Sequence, residues 1–200
     1  MRRLAKAFYE RDAPKVARDL IGCVFVHDNP ADRSAIRLVE TEAYRGSQDP
    51  GSHGYRGMTA RTRTMFGPPG RLYVYFTYGM HWCANIVCDR DGTCEAVLLR
   101  AGEPVEGIEL MRGRRLGVAD DRLLAAGPTR LTQAMGIAKE HDGASLLRGG
   151  RFWCAEDAKT AAYRAAEIGV TPRIGLAVGR GDESPWSFVV PGHPYASRRR

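Results

Sequence analysis

The feature that most constrains the fold is a tyrosine-rich alternating stretch, LYVYFTYGMHWCA, at residues 72–84. Leu72, Val74 and Phe76 alternate with two tyrosines and a threonine, and this two-residue period is typical of a β-strand. One face of such a strand can enter a core, while the other carries phenols, which have an apolar ring and a polar tip. Gly79 then permits a backbone bend that a residue with a Cβ atom resists. The stretch therefore predicts two strands joined at the glycine.

Two tyrosines of this stretch are expected to face different environments. Side chains alternate between the two faces of a straight strand, so Tyr75 and Tyr78 point to opposite sides. We therefore expect one of them to line a pocket and the other to project from the bend.

The pattern continues into a three-stranded antiparallel meander at 72–78, 81–88 and 95–101, with a strong turn signal at Asp91-Gly92. Residues 138–170 carry no clear pattern. We find no internal repeat and no linker, so residues 1–200 are predicted to form one α+β domain with a central, mainly antiparallel sheet and short flanking helices. The helices are predicted at residues 4–11, 13–20, 105–115, 121–126 and 127–137, and closing strands at 171–178 and 184–192.

A second strand, AIRLVETEAY at 35–44, has an unusual polar end. The face that holds Ile36 continues with Glu40, Glu42 and Tyr44, where a core-facing strand would need further aliphatic residues. The strand therefore either twists into solvent at Glu40 or ends in a polar pocket. The tyrosine and the segment that follows it favour the pocket.

Residues 45–71 form a long irregular segment with six glycines, three prolines and five arginines. A connection of this length inside a compact domain is usually functional or disordered. His53, Tyr55, Met65 and Phe66 are interleaved with the arginines, which disfavours disorder. Arginines mixed with aromatic residues on a loop are typical of nucleic-acid binding.

The bulk composition indicates a basic, soluble protein. No apolar run approaches 20 residues, and residues 1–20 carry charges throughout, without the apolar core of a signal peptide. We therefore expect a cytoplasmic protein without membrane contact. The net charge of +7 suits a polyanionic partner. The basic tail at about 197–200 is predicted to be disordered.

The cysteines are expected to be free thiols. They form no CxxC pair, and disulfides are rare in the cytoplasm. Cys83, Cys88 and Cys94 are close enough in sequence to suggest a metal site, but they lack the usual short ligand spacings. Buried apolar packing is the preferred interpretation, and no metal is predicted.

Several of these features describe one kind of chemistry when combined. A carboxylate beside a pocket can act as a general base on water. Aromatic residues can stack on a planar group, more strongly when that group is cationic. A tyrosine at a turn can wedge into a base stack, and a basic loop can hold phosphates. Asn85, a buried amide in an apolar run, needs a partner from the backbone or from a ligand. Together they describe an enzyme that turns a base out of duplex DNA and acts at its glycosidic bond.

Four long motifs carry a resemblance to a known family. They are RLVETEAYRGSQDPGSHGYRG, RTRTMFGPPGRLYVYFTYGMHWCANIV, AVLLRAGEPVEGIELM and GPTRLTQAMGI, in this order along the chain. The chain resembles the alkyladenine (3-methyladenine) DNA glycosylases of the single-domain type, which is distinct from the helix-hairpin-helix type. The resemblance covers most of residues 13–137 and, more weakly, residues 171–192.

The resemblance implies a role for each matching residue. Glu42 would be the general base that activates water for attack on C1′, and Arg100 would orient that water and the carboxylate. Tyr44, His53 and Tyr75 would sandwich the flipped base.

The remaining implied roles concern selectivity and the DNA itself. Asn85 would line the pocket floor and disfavour the amino group of normal guanine. Tyr78 would enter the minor groove and fill the gap left by the flipped base. Arg61, Arg63 and Arg71 would contact the DNA backbone.

The implied reaction is monofunctional hydrolysis that leaves an abasic site, without a lysine Schiff base, a metal or a cofactor. The implied partner is double-stranded DNA, bound by a monomer. The implied substrates are 3-methyladenine and 7-methylguanine, whose cationic bases leave readily, with hypoxanthine and ethenoadenine as further candidates. Neutral hypoxanthine would need its leaving group protonated, and the carboxylate would also stabilise an oxocarbenium-like sugar.

The chain departs from the family pattern in the basic loop. The usual TPRN is TART here, with Ala60 and Thr62, which affects loop contacts and leaves the chemistry unchanged.

Two alternatives remain open at this level. The first is a glycosidase-like or metal-dependent hydrolase that uses Glu40 and Glu42 as a pair, about 6.5–7 Å apart at Cα on one strand. It predicts equal damage from the loss of either acid. The second is a damage-binding protein without catalysis, for which Glu42→Gln would change nothing measurable.

Overall fold

One antiparallel sheet organises the chain. Within residues 1–30 and 32–197, the part that this computed structural model describes, nine strands share the sheet. The strands are β1 (Arg2–Arg3), β2 (Val24–Asn29), β3 (Asp32–Arg45), β4 (Leu72–Thr77), β5 (His81–Cys88), β6 (Glu95–Glu106), β7 (Phe152–Glu156), β8 (Gly169–Thr171) and β9 (Ser187–Val189). Seven of them lie in the order β1-β7-β2-β3-β6-β5-β4, while β9 pairs with both β3 and β8.

Short helices flank the sheet, so the predicted α+β class is confirmed. The longest of them, α2, packs against β3, where the Thr41 hydroxyl donates to the carbonyl of Ala17 at 2.8 Å. The α-helices are α1 (Lys6–Tyr9), α2 (Ala13–Leu20), α3 (Ile108–Arg114), α4 (Pro128–Ala134) and α5 (Thr160–Ala165).

The predicted meander is present as β4, β5 and β6, but its third strand is longer than expected. Residues 103–106 were predicted to lie before or within a helix that begins at 105, whereas they continue β6 and pair with β3. Pro104 is tolerated there because the register between the two strands shifts beside its partner Ile36. The helix begins only at Ile108, after Gly107 with φ 74°.

Two other expectations were wrong in part. Residues 121–126 hold only a 3₁₀ turn, Asp121–Leu123. Of the predicted strand at 171–178, only Thr171 belongs to a strand, and the following residues are irregular. The physical reason is that Arg173 turns inward to a buried carboxylate, as described below.

The unpatterned tract 138–170 contains β7 and α5, which the sequence did not predict. The β7 strand lies between β1 and β2, and four of its five residues are buried. A strand buried on both faces has no alternation of apolar and polar residues, so its period is invisible in the sequence.

Three smaller predictions have clear outcomes. All five cysteines are free and buried, as expected. No helix in the described ranges has the length and apolar character needed to span a membrane. Of the predicted disordered tail, residues 198–200 lie outside the described residues, whereas Ser197 is hydrogen-bonded to Glu40.

Candidate active site

The centre of the site is Glu42, near the polar end of β3. Its side chain is fully buried, and its two carboxylate oxygens accept hydrogen bonds from different directions. Oε1 accepts from the backbone N–H of Ile174 at 2.8 Å, and Oε2 accepts from the Tyr44 hydroxyl at 3.0 Å. The Nη1 atom of Arg100 lies 3.3 Å from Oε1. Two hydrogen-bond donors and one guanidinium cation therefore converge on one carboxylate.

Burial and the neighbouring donors shift the pKa of Glu42 in opposite directions. Burial raises the pKa of Glu42 above its ordinary value, although Arg100, the Ile174 N–H and the Tyr44 hydroxyl each lower it. Burial also raises the pKa of Tyr44 well above 10, so the phenol stays protonated and donates a hydrogen bond to Glu42. A carboxylate whose proton affinity is raised in this way is suited to remove a proton from water.

Glu40, two residues earlier on the same strand, has a different environment. Its Oε1 accepts from Nε of Arg100 at 2.9 Å and from the Ser197 hydroxyl at 2.7 Å. Its Oε2 accepts from the Ser197 backbone N–H at 2.6 Å. Glu40 is therefore the buried counter-ion that holds Arg100, and its oxygens are occupied by these donors.

A cavity of about 200 Å³ lies next to these groups. Glu42 is not among its lining residues, but the three residues that contact its carboxylate, Tyr44, Arg100 and Ile174, all line it. Six of the candidate site residues from the sequence line it together: Tyr44, His53, Tyr75, Tyr78, Asn85 and Arg100. The rest of the wall includes Gly51, Met65, Thr77, Cys83, Leu98, Pro128, Thr129, Ile174, Gly175 and Leu176. Residues more than 130 positions apart in sequence thus form one pocket.

Aromatic rings form one side of the cavity. The rings of His53 and Tyr75 meet edge to face, with centroids 4.5 Å apart and an interplanar angle of 84°. A ring nitrogen of His53, Nδ1, lies 3.2 Å from the Tyr73 hydroxyl. His53 reaches solvent, yet the protein packed around its ring and, to a smaller extent, the charge of Arg61 together lower its pKa to about 4. The imidazole is therefore neutral at physiological pH.

Asn85, on the central strand of the meander, lines the cavity. Its side chain is buried, and its amide oxygen has no hydrogen-bond partner among the described residues. A buried polar atom left without a partner is costly. An amide in this position is suited to bond a ligand that enters the pocket.

Tyr78 lies at the tip of the β4–β5 hairpin and is 81% exposed. Its φ is 51° and that of Gly79 is 69°, so both central turn residues are left-handed. A bulky residue is strained in this conformation. Tyr75 and Tyr78 were predicted to face different environments. Both line the cavity, but Tyr75 is half-buried in its wall whereas Tyr78 is largely exposed.

The three arginines predicted to contact DNA do not form one cluster. Arg61 lies against the hairpin, with its guanidinium 3.3 Å from the Phe76 carbonyl, and Arg63 is exposed in the following 3₁₀ turn. Arg71 precedes the other end of β4, roughly 20 Å from the tip for a six-residue strand, and donates to the Gly143 carbonyl at 2.8 Å. Thr62, a departure from the family pattern, accepts from the Thr59 N–H at 2.9 Å.

Sequence reasoning missed several residues that build the site. Ile174 acts through its backbone N–H, which any residue but proline offers, so the sequence carries no signal for it. Arg173 and Asp49 form a fully buried ion pair behind the pocket. Ser197 was assigned to a disordered tail.

The fold and the site together define a basic α+β protein with a ligand pocket beside a buried carboxylate. Comparison with known proteins identifies the class: a family model for methylpurine-DNA glycosylases matches residues 7–194. The chain belongs to this family, whose members hydrolyse N-glycosidic bonds in DNA.

Similar proteins occur in distant organisms, and each carries the name "Putative 3-methyladenine DNA glycosylase". A relative from Burkholderia lata is 48% identical over 97% of this chain and 90% of its own length. One from Chlorobaculum parvum is 47% identical over all of this chain and 93% of its own length. One from Methanoculleus marisnigri is 46% identical over 98% of this chain and 99% of its own length.

Proposed function

We propose that this protein is a monofunctional DNA glycosylase that excises alkylated purines, with 3-methyladenine and 7-methylguanine as its substrates. It flips the damaged nucleotide out of double-stranded DNA, hydrolyses the N-glycosidic bond and leaves an abasic site. The observation that carries the proposal is the convergence of Tyr44, Arg100 and the Ile174 N–H on the buried Glu42 beside an aromatic pocket.

The size of the cavity supports a single base as the ligand. Sites for drug-sized molecules measure about 300–1,000 Å³, and the cavity here, at about 200 Å³, is smaller. It suits one heterocycle better than a whole nucleotide, so the sugar and phosphates remain outside. Tyr44, His53 and Tyr75 then offer ring faces to the planar base.

The charge of the ligand fits the electrostatics of the pocket. Bases alkylated at N3 or N7 are cationic, and phenol rings attract cations through their faces. His53 is neutral, so it does not repel such a base. Among the described lining residues, Arg100 is the one cation that could repel such a base, but its charge is neutralised by ion pairs with Glu40 and Glu42.

The reaction follows from these positions. The bond between C1′ and the base nitrogen breaks, and its electron pair leaves with the cationic base, which becomes neutral. Glu42 stabilises the oxocarbenium-like sugar and removes a proton from the water whose oxygen bonds to C1′. The described lining residues include no lysine, which supports hydrolysis by water over a Schiff base.

Tyr78, an exposed residue of the pocket wall at the hairpin tip, enters the minor groove and fills the space that the flipped base leaves. Arg61, next to the hairpin, and Arg63 contact phosphates close to this point, while Arg71 contacts the backbone farther along the duplex. The cytoplasm is the proposed location, and one monomer binds one duplex site.

The test is excision from defined duplexes. DNA containing 7-methylguanine and, separately, a duplex with one hypoxanthine or one ethenoadenine would be incubated with the protein in the presence of a chelator. Alkali would then cleave abasic sites, and Glu42→Gln would be assayed alongside. Cleavage by the wild type that is lost in the variant supports the proposal. Tight lesion binding without cleavage by either protein would instead establish a damage-binding protein. Cleavage of methylated DNA alone would show that the pocket depends on a cationic leaving group.

A further inference from the structure

A fully buried ion pair, Arg173 with Asp49, lies behind the pocket and not in it. The Nη2 atom of Arg173 donates to Oδ1 of Asp49 at 2.7 Å, and Nη1 donates to Oδ2. Both side chains have no solvent exposure. The pair joins two irregular segments, residues 46–54 and residues 172–181, which no strand pairing fixes in place.

The guanidinium also holds the back of the pocket wall. Its Nη1 donates to the Ala43 carbonyl at 3.0 Å, and its Nη2 donates to the Gly181 carbonyl at 2.9 Å. Its central carbon lies 4.5 Å from the centroid of the Tyr44 ring. Tyr44 is thus held on its rear face by a cation, which leaves the opposite side toward the cavity.

The carboxylate of Asp49 organises the other segment. It accepts from the backbone N–H of Arg45 at 3.0 Å and from that of Gly51 at 2.9 Å. Gly51 lines the pocket, and His53 follows two residues later. The position of the histidine therefore depends on this carboxylate.

Two glycines show that both segments are built closely around the pair. A Cβ atom at Gly181 would lie 2.6 Å from Nη2 of Arg173 and 2.9 Å from Oδ1 of Asp49. A Cβ atom at Gly51 would lie 2.9 Å from the same Nη2 atom. Side chains at these positions would displace the guanidinium.

We propose that Arg173 is a positioning residue for the excision reaction. With Asp49 it sets three parts of the pocket at once: the ring of Tyr44, the segment that carries His53, and the N–H of Ile174 that donates to Glu42. This inference rests on the proposed glycosylase function. Arg173 does not line the cavity, so it acts through these neighbours and not on the base.

Arg173→Lys tests the proposal, because lysine keeps the charge but loses the planar fork that bonds a carboxylate twice. We expect kcat to fall about 10- to 100-fold, since misplacement of about 1 Å can cost that much. Affinity for undamaged duplex should not change, because the residue is buried. The acid limb of the pH–rate profile should move to higher pH, since Glu42 loses the Ile174 donor while Arg100, Tyr44 and Glu40 still face it.

A matched control separates positioning from stability. Arg37 forms a comparable bidentate pair with Asp157, far from the pocket. Arg37→Lys should also lower stability, by less because Asp157 is partly exposed, and leave kcat and the pH profile unchanged. If Arg173→Lys behaves like this control, Arg173 is merely structural and the proposal fails. Should Arg173→Lys not fold, Asp49→Asn removes the same ion pair and gives the same readouts.

A second measurement does not depend on activity. Amide hydrogen exchange should show the Ile174 N–H protected in the wild type and exposed in Arg173→Lys. If the wild type is inactive but its Ile174 N–H is protected and becomes exposed in Arg173→Lys, the proposed function is wrong and the positioning of Ile174 by Arg173 still stands. An active wild type in which Arg173→Lys leaves Ile174 protection intact would overturn this positioning alone.

Discussion

The Nη1 atom of Arg100 lies 3.3 Å from Oε1 of Glu42, and both side chains are buried. The same guanidinium is held by Glu40 through Nε at 2.9 Å. One cation is therefore shared by two carboxylates, and only Glu42 is also bonded to Tyr44 and Ile174 of the cavity wall. Glu40 fixes the arginine, and the arginine opposes the rise that burial causes in the pKa of Glu42.

This asymmetry predicts unequal effects for the two acids. Glu42→Gln should lower the single-turnover excision rate at least about 100-fold, the usual contribution of a general base. Glu40→Gln leaves the general base Glu42 in place and offers Arg100 an amide oxygen, so the excision rate should fall by less than about 10-fold. Excision rates of both variants on 7-methylguanine DNA, measured with saturating enzyme, would test this difference. Equal losses would favour a carboxylate pair that acts together.

The pH dependence follows from the raised pKa of Glu42. The base must be ionised to accept a proton, so the rate should rise with pH through this pKa, with a midpoint above the ordinary 4.5 of a glutamate. Removing the negative charge of Glu40 lowers the pKa of Glu42, so Glu40→Gln should move the midpoint to lower pH. A profile with the same midpoint in both proteins would show that Glu42 is not the titrating group.

The extent of sequence-based prediction differs between parts of the site. The alternation in β3 placed Glu42 with Tyr44, to which it is hydrogen-bonded, because strand parity is local. The turn at Gly79 was visible for the same reason. Strand parity did not predict that Tyr75 and Tyr78 both line the cavity. These short-range rules predicted the meander, whereas the pocket roles of residues such as His53 and Arg100 came from the family resemblance.

What the sequence did not predict depends on contacts that are distant in the chain. Asp49 and Arg173 are 124 residues apart, and neither belongs to a motif with a characteristic spacing. The Ile174 N–H is a backbone group, and β7 is buried on both faces. Pairing across such distances is decided by packing, which composition and periodicity do not encode.

The protonation of His53 can be measured directly. We expect its imidazole to titrate well below 6.5, towards the value of about 4 that its surroundings and Arg61 produce. The ring is then neutral throughout the pH range of excision, and His53 contributes no limb to the rate profile. Nuclear magnetic resonance of the imidazole protons, with His53→Gln for assignment, would test this. A midpoint near 6.5 would mean that water reaches the ring freely.

A buried pair outside the pocket should affect stability alone. Asp157→Asn keeps the acceptor for the N–H groups of Lys159 and Thr160 but leaves Arg37 without its counter-ion. We expect a loss of about 2 kcal/mol in the free energy of unfolding at pH 7, below the range for fully buried pairs because Asp157 is partly exposed. Urea unfolding would measure it, and an unchanged midpoint would show that the ion pair contributes no net stability.

The same pair has a defined pH signature. The hydrogen bonds from Arg37 hold the pKa of Asp157 well below its ordinary 3.8. A depressed pKa contributes stability that is fully present above the unfolded value and lost as pH falls towards the folded one. The difference between wild type and Asp157→Asn should therefore be constant near neutral pH and shrink below about pH 4. A stability difference between the two proteins that does not shrink in acid would show that the ionisation of Asp157 is not its cause.

Tyr78 should show opposite effects on stability and on DNA binding. Its left-handed backbone costs a non-glycine residue about 1 kcal/mol, and its ring is exposed. Tyr78→Gly relieves this strain, so the free energy of unfolding should rise by up to about 1 kcal/mol, less the extra chain entropy of glycine. Lesion-DNA affinity should fall, because nothing fills the gap in the stack. Tyr78→Phe, which keeps both ring and strain, should match the wild type in both respects. A glycine variant that binds lesion DNA as tightly as the wild type would show that the hairpin tip does not enter the duplex.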